Sequence, residues 1–339
     1  MGRCAVVSLS VRERPISSGL RPVNLRTDLV PLADLIEIAF SDTMDSSGRA
    51  AVREMRTLSH LGPGLSLLLG MNDLAQGVGL GFVWIEDGRL VGNTSVYPAN
   101  VPTGQSWIIA NVAVDPAYRK RGIARKLVEA SLDMIQKRSR VRPASAVLQV
   151  EANNDVARRL YERLGFVAEQ SWTQWRRSST VRAPQPFNDP SIYITRRRPQ
   201  EWRAEYAMAE RLRASGGMGW LRPLHPSFFR RPLFKRLGDI LSFRSLERLV
   251  IRGQQEELRA VMWVESAFAS SSVQLTLMVE PEYQGIYDEA LINLIARRYS
   301  LRSALAIEHH TDDMIASDIL RRYQFHPQRT LVHMRWEAS

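Results

Sequence analysis

Apolar residues in this chain follow two spacings, and the order in which those spacings occur comes round twice. Leu32, Leu35, Ile36 and Ala39 recur at three and four residues, the mark of an amphipathic helix, after a strand-like stretch from Leu20 to Arg26. A second helix is predicted over Ala50 to Leu61. Gly81–Glu86 and Leu90–Tyr97 are rich in β-branched and aromatic residues and flank Asp87-Gly88, which predicts a hairpin. Trp107–Val114 is almost continuously apolar at strand length, as expected of a strand covered on both faces. Gly122–Lys137 then reads as helix, Ala146–Val150 as strand, Asn154–Leu164 as helix and Phe166–Arg176 as closing strand.

Between Arg177 and Pro190 the sequence RSSTVRAPQPFNDP carries three prolines and little apolar periodicity, so it reads as a linker. Beyond it the order returns. Strand Ile192–Thr195 is followed by helices over Gln200–Arg213 and Phe228–Leu241, then by strands over Arg248–Arg252, Leu258–Phe268 and Val273–Val279. Helix Asp288–Arg298, strand Ala304–Glu308 and helix Asp313–Tyr323 complete the second pass. Val114-Asp115-Pro116-Ala117-Tyr118 aligns with Val279-Glu280-Pro281-Glu282-Tyr283, and Leu148, Val150 and Glu151 align with Leu305, Ile307 and Glu308. The expected organisation is a loose tail over residues 1–19, one domain over 20–178, a linker over 179–190 and a second domain over 191–339.

Composition narrows the class. Of 339 residues 45% are apolar and 24% charged, the balance of a globular protein, and no apolar run reaches the roughly 18 residues of a membrane span. Cys4 is the single cysteine, which excludes an internal disulfide framework and any cysteine-based zinc site. The first nineteen residues show no signal core, and Val6 stands where a myristoylation signal needs Ser or Thr, so the expected compartment is the cytoplasm. The formal net charge of +11 is carried mostly by arginine, which raises the question of nucleic acid. Those arginines are scattered through both halves without interleaved aromatics, so they read as solubilising surface charge and not as a nucleic-acid interface.

One segment departs from ordinary surface chemistry. Arg119-Lys120-Arg121-Gly122-Ile123-Ala124-Arg125-Lys126 follows a buried strand and opens a helix, with five cations where a helix usually places a capping oxygen and acids. Unpaired N–H groups and a positive partial charge make such a terminus an anion receptor, and Gly122 admits close approach to the backbone. A basic solvated turn is the competing reading.

The two stretches VAVDPAYRKRGIARKLVEASL and LQVEANNDVARRLYERLGF resemble the GNAT superfamily of acyl-CoA N-acyltransferases, over roughly residues 20–178. The resemblance, with the repeat, implies an α/β (α+β) architecture of two tandem GNAT folds, each a mixed central sheet flanked by helices. It implies acetyl-CoA as cosubstrate, with no metal. The backbone of Val112, Ala113 and Val114 would pair with the pantetheine arm where the strand bulges, and N–H groups of Arg119, Lys120, Arg121, Gly122, Ile123, Ala124 and Arg125 would hold the diphosphate. Asn154, a natural helix cap, would contact the cofactor arm; Tyr161, two turns on, would protonate the departing thiolate. A phenol of ordinary pKa near 10 is protonated at neutral pH and can serve so, although a core aromatic also fits Tyr161.

A general base is less evident. Residues 101–114 hold no carboxylate, and another position the family uses, just before Val150, is Gln149. Glu151 and Asp115 remain as candidates, with His60 more distant. In the second copy, Tyr283-Gln284-Gly285-Ile286-Tyr287-Asp288-Glu289 is shorter across the turn and puts acids where the first copy has cations, so no diphosphate site is expected. His309-His310 reads as structural, without a third metal ligand. The resulting expectation is transfer of an acetyl or short acyl group to a primary amine of a small molecule. The alternatives are a non-catalytic acyl-CoA sensor and a protein N-terminal acetyltransferase. A homodimer is compatible with this reading.

Overall fold

The structure is a computed structural model and describes residues 18–41, 44, 49, 52–53, 55–57, 80–101, 104–214, 224–230, 244–267 and 272–338. Most of the predicted tail, His60, and the larger parts of the helices expected over 50–61 and 228–241 lie outside the described residues. In chain order the elements are β1 (Gly19–Pro22), α1 (Leu25–Ala39), β2 (Gly81–Glu86), β3 (Arg89–Val101) and β4 (Gly104–Val114). They continue with α2 (Ile123–Arg138), β5 (Ser145–Glu151), α3 (Asp155–Arg163), β6 (Val167–Arg177) and β7 (Ile194–Arg196). The second pass has α4 (Trp202–Ala214), α5 (Pro226–Arg230), β8 (Arg244–Arg252), β9 (Leu258–Ala267), β10 (Ser272–Val279), α6 (Tyr287–Arg298), β11 (Ala304–His310), α7 (Met314–Arg322) and β12 (His326–Glu337).

Packing divides the chain into two compact units, residues 1–97 with 109–133, and residues 98–108 with 134–339. The expected linker thus falls inside the second unit, and the chain crosses between units within β3, β4 and α2.

In the first unit β1, β2, β3 and β4 lie side by side, β2 and β3 forming the hairpin foreseen at Asp87-Gly88. The two-residue period of β2 sends Val83 and Ile85 to one face, against Leu32 and Ala33 of α1. Phe82 and Trp84 point to the other, where Ile123 and Leu127 of α2 pack. Gly92 makes that approach close: a Cβ there would come within 2.9 Å of Ile123 and 3.1 Å of Leu127.

The second unit contains an exchange that the sequence reading did not foresee. Its strands run β4-β5-β12-β6-β11-β10-β9-β8-β7. The closing strand of the second pass, β12, lies antiparallel between β5 and β6 of the first, and β6 in turn pairs with β11. Each pass therefore lends its closing strand to the other. Val332 and Met334 of β12 are buried, as central strands require. Further along, β8, β9 and β10 are covered on one face by α6 and α7, through Leu291, Ile295, Ile319 and Leu320. The other face meets α4 and α5 through Met208, Leu212 and Phe229.

Strand β5 and strand β11 are each seven residues long, and α3 and α7 each nine, with Asn154 and Asp313 as their caps. Matching these elements pairs Gln149 with Glu308, Val150 with His309, Glu151 with His310 and Tyr161 with Leu320. The alignment of Glu151 with Glu308 made from sequence is thus two residues out of register. A slip of two preserves the alternation of a strand, so the apolar pattern alone could not detect it.

Candidate functional site

Each compact unit holds part of the predicted residues. In the first, Asp115 ends β4 and its carboxylate accepts from Ala117 N–H at 2.9 Å, starting a single 3-10 turn over Pro116–Tyr118. Capping is thus the contact seen for Asp115, which had been a candidate base. The chain then takes left-handed backbone at Lys120 (φ 64°) and Gly122 (φ 77°), on either side of Arg121. Left-handed residues in such a turn bring successive N–H groups to one side, forming a concave anion receptor. The first internal bond of α2 runs from Lys126 N–H to Gly122 C=O at 3.1 Å, so the N–H groups of Ile123, Ala124 and Arg125 have no intrahelical acceptor. Among the described residues, a Cβ built on Gly122 meets nothing within 4 Å, so there is room beside the turn at that position.

The cations around this turn are less idle than their sequence suggests. Arg119 Nε donates to Val114 C=O at 3.2 Å, Arg121 lies over the Tyr118 ring at 5.0 Å, Arg125 pairs with Glu129 at 2.7 Å and Lys126 lies over Trp84 at 4.9 Å. With those side chains engaged, the backbone donors of the turn remain as its anion-binding groups.

Strand β4 carries the irregularity expected just before the turn. Asn111 is left-handed (φ 52°), its carbonyl accepts from Asn93 Nδ2 at 3.0 Å, and its own amide donates to Ser95 Oγ at 3.3 Å. A non-glycine residue at positive φ with two side-chain bonds is a local departure from extended backbone directly before Val112, Ala113 and Val114, and among the described residues the pairing of β4 with β5 covers only Trp107 and Ile108. Ala113 is buried, whereas Val112 and Val114 are half-buried.

The second unit holds Glu151, Asn154 and Tyr161. Glu151 ends β5, where it pairs with Leu331. Asn154 is the predicted cap, accepting from Ala157 N–H at 3.1 Å, and it opens the short helix that carries Tyr161. The Tyr161 ring is buried, edge-on to Phe166 at 5.8 Å, and burial pushes its phenol up to about 12. It therefore stays a proton donor across the physiological range. Its surroundings also match the core-aromatic reading, and the two roles are compatible, since a phenol can pack its ring and present its oxygen.

One residue at this site was not foreseen. Through the strand exchange, His333 of β12 sits opposite Gln149 of β5, with 2.6 Å between His333 Nε2 and Gln149 Nε2. His333 also stacks on Trp172 of β6, which meets His310 of β11 edge-on. Burial drives His333 down to about 3, so its imidazole is neutral. No reading confined to residues 20–178 could have supplied it.

The second copy resolves its corresponding helix start differently. Gly285 is again left-handed (φ 89°), but the turn is shorter and Asp288 lies buried at the start of α6. Its carboxylate accepts from Glu289 N–H at 2.9 Å and from Gly285 N–H. A carboxylate of the protein takes the place that an external anion would need, as the acids there led us to expect.

Residues 53–166 match the Acetyltransferase (GNAT) family. N-alpha-acetyltransferase 30 of Schizosaccharomyces pombe is 37% identical over 87 residues, 25% of this chain and 55% of that protein. The [ribosomal protein bS18]-alanine N-acetyltransferase of Escherichia coli K12 is 45% identical over 56 residues, 16% of this chain and 36% of its own length. The chain thus spans about half or less of these curated relatives. Among solved structures, a GCN5-related N-acetyltransferase from Sphaerobacter thermophilus has a TM-score of 0.66 at 18% identity, covering 95% of this chain and 96% of the other. A tandem GNAT protein from the clavulanic acid biosynthesis pathway has a TM-score of 0.61 at 14% identity, covering 95% and 99%. Residues 53–166 thus match a GNAT family model, and the chain has the fold of solved GNAT structures, a tandem one among them.

Proposed function

We propose that this chain is an acetyl-CoA-dependent N-acyltransferase that moves an acetyl or short acyl group to a primary amine of a small molecule. The observation that carries the reading is the turn at Lys120–Gly122, whose left-handed backbone leads into a helix with three N–H groups lacking an intrahelical acceptor and suits the diphosphate of coenzyme A. The cosubstrate supplies an activated acyl carbon and a thiolate leaving group. Backbone from Val112 to Val114, beyond the stretch of β4 that pairs with β5 and next to the left-handed Asn111, would hold the pantetheine amides and polarise the thioester carbonyl. As the amine nitrogen bonds to the acyl carbon and the carbon–sulfur bond breaks, the proton on Tyr161 Oη would pass to sulfur. Glu151 is the carboxylate assigned to take the proton leaving the amine. The roles of Tyr161 and Asn154 rest on the order of the motifs in the chain together with the burial and capping described above.

A protein N-terminus is a second reading, supported by the two curated relatives, whose names describe N-alpha- and ribosomal-protein alanine acetylation. A panel of small amines, amino sugars and alanine-ended peptides, assayed for release of CoA thiol, separates these readings. Turnover on the peptides alone would move the acceptor class. Tight acetyl-CoA binding with no release above hydrolysis on any acceptor would leave a sensor and remove the enzyme.

A further inference from the structure

In the second copy, the cleft between the ends of β10 and β11 persists as a cavity of about 450 Å3, within the range that holds small ligands. Its lining has the opposite electrostatic sign from the first copy's turn. Asp288, Asp312 and Asp313 line it with His309 and His310, and among the described residues no Lys or Arg lines it. His309 Nε2 meets Asp313 Oδ2 at 2.8 Å, while Asp313 Oδ1 caps α7 by accepting from Ala316 N–H at 2.9 Å. Asp288 is buried at 2% exposure, and burial together with the nearby charge of Asp313 pushes its carboxyl up. The His310 imidazole, held down by burial, adds no full positive charge at neutral pH. Behind it, edge-on at 5.5 Å, the Trp172 indole N–H is buried without a hydrogen-bond partner. The remaining wall is apolar, with Leu277, Val279 and Ile315.

A concave site with carboxylates on one wall and aliphatic side chains on another lacks a cation with an apolar body. A metal ion is not the match, since among the described residues no group of three His, Cys, Asp or Glu side chains is placed to bind one. We propose that this cavity is a binding site for a small organic ammonium ion, its charge held by Asp313 and Asp288 and its hydrocarbon part lying against Leu277, Val279 and Ile315. The degenerate copy keeps the cleft and exchanges an anionic ligand for a cationic one. Filling the old diphosphate position with Asp288 produces that exchange.

The test uses the full chain without coenzyme A, so its failure leaves the transferase reading standing. Benzylamine, n-butylamine, neutral benzyl alcohol and benzoate are titrated by calorimetry at pH 7. The ammonium probes bind at least tenfold more tightly than benzyl alcohol, and benzoate does not bind. Asp313→Asn keeps size and helix capping, since Asn caps as well as Asp, and it weakens benzylamine about tenfold or more. Gln284→Trp fills the mouth of the cavity from a half-buried position and abolishes binding. Equal affinity for benzylamine and benzyl alcohol overturns the proposal. So does benzylamine affinity that both variants leave unchanged, because the amine would then sit elsewhere, for instance at an acceptor site in the first copy.

Discussion

Gln149 and His333 face each other at 2.6 Å, although they belong to different passes of the repeat and are 184 residues apart in the chain. Their contact exists because β12 enters the sheet between β5 and β6. The first pass is therefore incomplete in its own sequence, and the residue beside the family's alternative base position comes from the far end of the second. Ending the chain before His326 removes one of the two pairing partners of β5 and one of the two of β6, and leaves two rows of ladder donors and acceptors unpaired. We expect such a truncation to be insoluble or molten and inactive, although it retains residues 53–166 whole. A milder variant, Met334→Asp, buries a carboxylate at a position with 0% exposure and should cost about 3 kcal/mol or more. Urea unfolding checks it; a cost below about 1 kcal/mol would show that β12 is dispensable.

Gly122→Val should separate folding from cofactor binding. The new side chain has room in the free protein, so the cost to stability is limited to the left-handed backbone, about 1–2 kcal/mol. A bulky side chain at the centre of the turn should crowd an incoming diphosphate. Acetyl-CoA affinity should fall at least tenfold by titration while the melting transition remains cooperative.

Tyr161→Phe keeps the ring and its contact with Phe166 and removes only the proton. Turnover should fall by about 10²- to 10⁴-fold with little change in acetyl-CoA affinity. With the phenol near 12, no alkaline limb from Tyr161 should appear in the rate below about pH 10. A variant as active as the parent would leave Tyr161 as a packing residue.

His333 predicts a specific acid sensitivity. Its folded value, about 3, lies below the ordinary 6.5, so the unfolded chain binds the proton more readily. The stabilisation is full above about pH 6.5 and is lost as pH falls toward 3, by up to about 1.4 kcal/mol per unit. His333→Gln should flatten that part of the stability profile, measured by denaturant midpoints from pH 7 to pH 4. A slope unchanged by the substitution would assign the acid sensitivity to other groups.

Much of the fold was legible because each compact unit keeps its periodicities. The hairpin at Asp87-Gly88, the strand ending at Val114 and the cap at Asn154 all follow from local chemistry. The turn at Gly122 was legible for the same reason, since its donors, glycine and cations lie within eight residues. What escaped was non-local. Nothing in HPQRTLVHMRWE states which strands it will join, and the register of Glu151 against its counterpart could slip by two without disturbing the alternation. The partners that occupy Arg119, Arg121, Arg125 and Lys126 also depend on tertiary placement, so the sequence overstated how much positive charge the turn leaves unengaged.

The position of β12 also sets an order of events during synthesis. Strands β5 and β6 leave the ribosome well before His326–Glu337 is made, and until then β5 has an exposed edge facing a gap. A nascent first pass must wait in that state, open to pairing with any other unsatisfied strand, including that of a neighbouring nascent chain. Holding the linker region near its own ribosome, by slow translation or by a chaperone that covers β5, would then raise the yield of native protein without altering its final stability.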